Sequence, residues 1–121
     1  MTPPILTDKD YAAPSLFDVD KLLREARRQK RLPNQPVPRV CVLDPDGDLV
    51  EHLRTEGRVE RHPGWGCYHT DLDVFALDGQ EAGIVGRAVG AAFAVLVAEE
   101  LFASGCRLLI SITSAGQIKT G

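Results

Sequence analysis

The stretch that decides the fold is Gly83-Ile84-Val85-Gly86-Arg87-Ala88-Val89-Gly90, followed by the apolar run Ala91–Ala103, Ser104-Gly105, and Leu108-Leu109-Ile110-Ser111-Ile112-Thr113-Ser114-Ala115-Gly116. A strand enters a glycine-rich turn, a helix follows, and a second strand runs out into small hydroxyl and glycine residues. That order is a βαβ unit. Turns of this kind bare backbone N–H groups to an anion or a sugar. In open α/β sheets, ligands bind beyond the carboxyl ends of the strands, where both loops lie. Residues 91–103 are apolar on nearly every face, which predicts a helix buried between layers, with Glu99 and Glu100 at its wet edge. The continuous apolar run 107–113 predicts a parallel strand covered on both sides.

Upstream, Thr70 to Leu77 alternates in part and reads as a strand, Asp78-Gly79 as a hairpin turn, and Gln80 to Val85 as the returning strand. Val59 begins another short strand. Arg39 to Leu43 is a short buried strand. Asp44-Pro45 then predicts a helix start, with Asp44 as N-cap, Pro45 in the first helical position, and Leu49, Val50 and Leu53 on the buried side. Leu32 to Pro38 carries three prolines and reads as a linker. Ser15 to Arg31 has a helical apolar stripe of Leu16, Val19, Leu22, Leu23 and Ala26, and Ser15 with Asp18 matches a capping box. Its basic C-terminal half, Arg24 to Arg31, suits the negative end of the helix dipole and reads as a solvated face. Residues 1–14 read as an extended arm. The expected organisation is therefore an arm, helix and proline-rich linker over 1–37 and an α/β unit over 38–121.

The bulk properties are those of a soluble protein. Apolar residues make up 44% of the 121 and charged residues 26%. A net charge of −3 gives no general attraction to nucleic acid or anionic membrane. No run reaches the roughly 20 apolar residues that span a bilayer. Cys41, Cys67 and Cys106 are odd in number and widely spaced, which implies reduced thiols and a cytoplasmic setting.

Leu77-Asp78-Gly79, the turn Gly86 to Gly90, the helix ending Ala98-Glu99-Glu100-Leu101, Gly105, and the strand ending Ser114-Ala115-Gly116 together resemble the nucleoside phosphorylase and nucleosidase superfamily over roughly residues 38–118. The resemblance implies a three-layer α/β domain with a mixed sheet flanked by helices. It implies cleavage of the N-glycosidic bond of a nucleoside, by phosphate in the phosphorylases and by water in the nucleosidases. It also implies homo-oligomeric assembly. Family domains are about twice this length, so the resemblance covers an N-terminal half. Base recognition and the ribose-binding carboxylate would then come from a C-terminal half, carried by a separate chain if it exists. A third expectation is a non-catalytic protein that keeps the fold for assembly or ligand binding.

Carried over residue by residue, the resemblance places Ser114 and Gly116 on retained positions of the phosphate-binding strand end. Ser111 stands where that motif has an arginine. The phosphate loop after the first strand falls on Asp44-Pro45-Asp46-Gly47-Asp48, with Asp44 in place of glycine and Asp48 in place of arginine. Carboxylates repel a phosphate dianion: at an effective dielectric of about 20, one at roughly 4 Å costs about 4 kcal/mol per unit of like charge. Arg87, in the next glycine-rich turn, is the candidate replacement cation. In the nucleosidase branch an acidic residue at this place activates water, so Asp48, with Asp46 as the alternative, is the candidate catalytic base. The other reading of Asp44, Asp46 and Asp48 is a helix cap.

His62-Pro63-Gly64-Trp65-Gly66-Cys67-Tyr68-His69 holds soft and borderline metal ligands, but their spacing fits no zinc signature, and no metal or other cofactor is expected. In related enzymes this region reaches the sugar, which makes His69, or Tyr68, a candidate contact. The expected ligands are thus a nucleoside and phosphate, at Arg87, Ser114, Gly116, Asp44, His69 and the catalytic Asp48.

Overall fold

A computed structural model describes Ala12 and residues 18–113. Among them are three helices and one mixed five-stranded sheet. The strands are β1 (Val40–Asp44), β2 (Glu60–Arg61), β3 (Leu72–Leu77), β4 (Gln80–Gly86) and β5 (Leu108–Ser111); the helices are α1 (Val19–Lys30), α2 (Asp48–Thr55) and α3 (Ala91–Ala103). The sheet order is β2-β3-β4-β1-β5. β4 and β5 both pair parallel with β1, while β3 is antiparallel to β2 and β4. The β4–α3–β5 crossover therefore steps over β1, and the carboxyl ends of the three parallel strands share one edge of the sheet.

The period-two alternation of the strands divides the core. One face carries Cys41, Leu43, Leu72 and Val85 against Val97 and Leu101 of α3. The other carries Val42, Ala82 and Ile84 against Val50 and Leu53 of α2. Helix, sheet and helix thus form three layers, with α1 packed on α3. The hairpin follows its sequence: Asp78 (φ 51°) and Gly79 (φ 78°) both take the left-handed conformation that a two-residue turn between twisted strands needs.

Four expectations are corrected. α1 begins at Val19, with the Asp18 carboxylate accepting from the N–H groups of Asp20 and Lys21, so Asp18 is the cap itself and not the third residue behind a Ser15 cap. Ser15 lies outside the described residues. α2 begins at Asp48, four residues beyond Asp44, because Asp44-Pro45-Asp46-Gly47 closes a turn, with the Gly47 N–H donating to the Asp44 carbonyl at 3.0 Å. Proline suits the second position of such a turn as well as it suits the first turn of a helix, and Gly47 (φ 83°) decides between them. Finally, among the described residues α3 and β5 are covered on one side only. Val95 and Phe102 of α3 and Leu108 and Ile110 of β5 are exposed. Glu100, expected at a wet edge, is 2% exposed.

Glu100 is the anomaly of the core. Among the described residues its Oε2 has no hydrogen-bond partner. Burial raises its pKa, opposed by the Cys67 thiol and the Lys30 charge. Burial likewise pushes Cys67 up to about 12, with Glu100 beside it adding to the rise. A carboxyl whose pKa is higher in the folded state stabilises fully below its unfolded value, and that stability is lost as pH rises through the folded value. Glu100→Met should therefore stabilise the protein at pH 8, by about 1–3 kcal/mol if the cost is that of an unpartnered buried polar atom. The gain should shrink as pH falls toward 4. Thermal melts across that range test this, and an equal gain at every pH would rule out the ionisation of Glu100 as the cause.

Candidate functional site

The site is organised at the carboxyl end of β1. Asp44 ends the strand buried, and its Oδ2 accepts from the Val50 N–H at 3.0 Å. A carboxylate six residues upstream thus caps α2 from the strand. The Asp44 carbonyl accepts the Gly47 N–H and the Arg87 N–H, each at 3.0 Å, which holds the β1 turn against the β4 turn. Two glycines allow this closeness. A Cβ on Gly86 would stand 2.9 Å from Val50 Cγ2, and one on Gly47 would stand 2.9 Å from Arg87 Cγ. The Arg87 side chain therefore lies across the bare backbone of the turn.

Between these turns and the loop before β3 is a cleft of about 250 Å³, lined by Gly47, Val50, Glu51, Arg54, His69, Thr70, Asp71, Gly86 and Arg87. His69 (φ 68°) and Arg87 (φ 61°) both hold left-handed backbone conformations that cost a non-glycine residue about 1–3 kcal/mol. Strain of this kind concentrates at functional sites.

An alternating chain of charges runs along the cleft. Arg61 meets Asp71 at 3.0 Å and Asp73 Oδ1 at 3.0 Å. Arg54 Nε donates to Asp73 Oδ2 at 2.7 Å, and its Nη1 lies 3.6 Å from Glu51 Oε1. The same Glu51 oxygen accepts from Arg87 Nη2 at 3.2 Å. Asp73 is 2% exposed and both of its oxygens are used, whereas Glu51 and Arg87 are largely exposed. One end of the chain is thus fixed and the other is loose.

Of the residues singled out from the sequence, Arg87 and His69 line this cleft. Asp44 lies beneath it as a structural anchor. Asp48 is exposed at the first position of α2 and is not among the lining residues. Ser114 and Gly116 lie outside the described residues. Tyr68 turns to α1, donating to Gln29 Oε1 at 2.6 Å with Lys30 Nζ 4.5 Å from its ring centre. His62 is buried, its Nε2 donating to the Pro36 carbonyl at 3.0 Å and its Nδ1 accepting the Gly64 N–H, so both ring nitrogens are engaged. Among the described residues no group of three or more His, Cys, Asp or Glu is placed to hold a metal.

Glu51, Arg54 and Asp73 were not singled out from sequence. The available signal was Asp73, a carboxylate inside the apolar strand Leu72–Leu77, which demands a cationic partner. Compared with protein-family models, curated proteins and solved structures, the chain matches none.

Removing the Asp44 carboxylate leaves the Val50 N–H buried without an acceptor. Asp44→Ala should cost about 1–2 kcal/mol in denaturant unfolding, while Asp48→Asn, at an exposed position, should change stability by less than about 0.5 kcal/mol. Equal effects of the two would contradict the assignment of the cap to Asp44.

Proposed function

We propose that this chain supplies the strand-end cleft of a nucleoside-cleaving protein of the phosphorylase and nucleosidase kind, and that water, in preference to phosphate, is the attacking group. The observation that carries this reading is the Glu51 carboxylate beside Arg87 and Arg54, where a bound phosphate would need the guanidiniums for itself. A dianion would have to displace a carboxylate and then lie near it. A neutral sugar with a water meets no such repulsion.

The lining supports the sugar end of a nucleoside. Glu51, His69, Thr70 and Asp71 offer hydrogen-bonding groups, and among the described residues no aromatic side chain lines the cleft for a base to stack on. Its volume, about 250 Å³, suits a pentose better than a whole nucleoside. The base would be held by residues outside the cleft. Cleavage of an N-glycosidic bond builds positive charge on the sugar, which a carboxylate at that face stabilises while it takes a proton from the attacking water. Glu51 is placed for that part, in the cleft where the sequence offered Asp48. Arg54, bonded to Asp73, places its charge 3.6 Å from the Glu51 carboxylate.

Two measurements test this. Base release from a panel of purine and pyrimidine nucleosides should be independent of added phosphate and fall by about 10²-fold or more in Glu51→Gln. Calorimetric titration with millimolar phosphate should show no binding to the wild type, binding to Glu51→Gln, and none to Glu51→Gln combined with Arg87→Ala. Phosphate binding to the wild type that is lost in Arg87→Ala would favour phosphorolysis. Absence of base release from every nucleoside would favour a non-catalytic, ligand-binding or assembly role.

A further inference from the structure

The last two turns of α1 and its C-terminal cap carry four arginines on one face. Arg24, Arg27, Arg28 and Arg31 are three or four residues apart, the spacing that brings side chains together on a helix. They line a groove of about 630 Å³, and Asp20, Leu32 and Asn34 complete its lining. The lysines of the same helix, Lys21 and Lys30, are not part of it. The negative end of the helix dipole accounts for basic residues in the last turn, Arg27, Arg28 and Lys30. It accounts neither for Arg24 nor for the separation of arginine from lysine. The charges of the groove are also poorly neutralised. Arg27 is half-buried, and its bonds go to neutral acceptors, the Gly64 carbonyl at 3.3 Å and the Ser104 hydroxyl at 3.2 Å. Among the described residues Arg24 and Arg31 meet no carboxylate within ion-pair distance. Arg28 pairs with Glu25, but both are exposed, and exposed pairs hold weakly. Arg31 adds a separate observation. It holds a left-handed backbone conformation (φ 55°, ψ 46°) where glycine is the usual residue, so an arginine is kept there at a cost in stability.

We propose that this groove binds a ligand bearing two or more linked phosphate groups, held by the guanidiniums of Arg24, Arg27, Arg28 and Arg31. Planar guanidiniums grip phosphate oxygens two at a time, which an ammonium does not, and that explains arginine inside the groove and lysine outside it. Arg24 and Arg31 are seven residues apart, about 10 Å along the helix axis, too far for a single phosphate to engage both. Arg27, held by its two neutral acceptors, supplies a fixed donor between them, and Arg28 joins by leaving Glu25. Asp20, one turn before Arg24, repels an anion, so the phosphates lie toward Arg31. Among the described residues the groove has no aromatic side chain on which nucleic-acid bases could stack. Asn34 is its one neutral polar side chain, too little to pair with the backbone of an extended acidic peptide. The groove and the strand-end cleft share no lining residue, so the inference does not depend on what the cleft binds.

Calorimetric titration of the full chain with inorganic triphosphate at low salt should show binding that weakens as salt is added. Orthophosphate at millimolar concentration should give no measurable heat. Arg24→Ala should weaken triphosphate binding about tenfold or more, the loss of one charged hydrogen bond. Arg31→Gly should weaken it by a similar factor and also raise the melting temperature, because glycine takes the left-handed conformation without strain. A loss of binding in a more stable protein is a loss of the site and not of the fold. Arg58→Ala, which removes an exposed arginine outside the groove, and Arg87→Ala, in the cleft, should bind triphosphate as the wild type does. A wild type that binds no triphosphate would overturn the proposal. So would an equal weakening in Arg58→Ala, which would leave only general charge attraction, or a loss in Arg87→Ala, which would move the binding to the cleft. An oligoglutamate peptide that binds more tightly than triphosphate would overturn the assignment to phosphate.

Discussion

The cleft depends on the position of one residue, Asp44. It is the last residue of β1, the strand flanked on both sides by parallel neighbours. Its side chain fixes the start of α2 and its carbonyl joins the β1 and β4 turns. A buried carboxylate is tolerable only when its oxygens find donors, and the free N–H groups of a helix start are the donors at hand. The same bond sets where Glu51 and Arg54 stand, because both sit on the helix whose first turn it holds. An aspartate that looks unsuitable beside an anion thus serves the architecture, its carboxylate engaged by the Val50 N–H.

The parts of the fold legible in sequence were those with local causes. Asp78-Gly79 and the limits of α3, between Gly90 and Ser104-Gly105, are set by residues that take or end particular backbone conformations. The start of α2 was not legible, since Asp-Pro opens a turn and a helix equally well. Burial was misjudged for a different reason. A helix apolar all round can be read as buried all round, but the exposure of Val95 and Phe102 depends on what packs outside them, and α1 covers only part of α3.

The site shows the same division. Arg87 and His69, singled out through the family resemblance, both line the cleft. Glu51 and Arg54 look, in sequence, like the solvated face of a short amphipathic helix. They belong to the cleft because Gly47 and Gly86 let the helix, the turn and β4 approach within contact distance, which is a tertiary fact. Asp73 links the two kinds of information. Its charge within an apolar strand signals a buried ion pair, but only the fold identifies Arg54 and Arg61 as the partners.

The graded burial along the charge chain bears on what the cleft can do. At Asp73 the carboxylate is buried and bonded through both oxygens, to Arg54 and to Arg61, which orients Arg54. At the other end the Glu51–Arg87 pair is exposed on both sides, and exposed pairs contribute only about 0–1 kcal/mol. Glu51 can therefore leave Arg87 at little cost, whereas Arg54 cannot leave Asp73. A ligand entering the cleft meets a fixed guanidinium and a carboxylate free to turn toward it. A fully rigid chain would leave no group to accept a proton, and a fully exposed one would orient none. In the proposed reading that carboxylate faces a sugar and a water in turn, and a second anion is disfavoured for the same electrostatic reason.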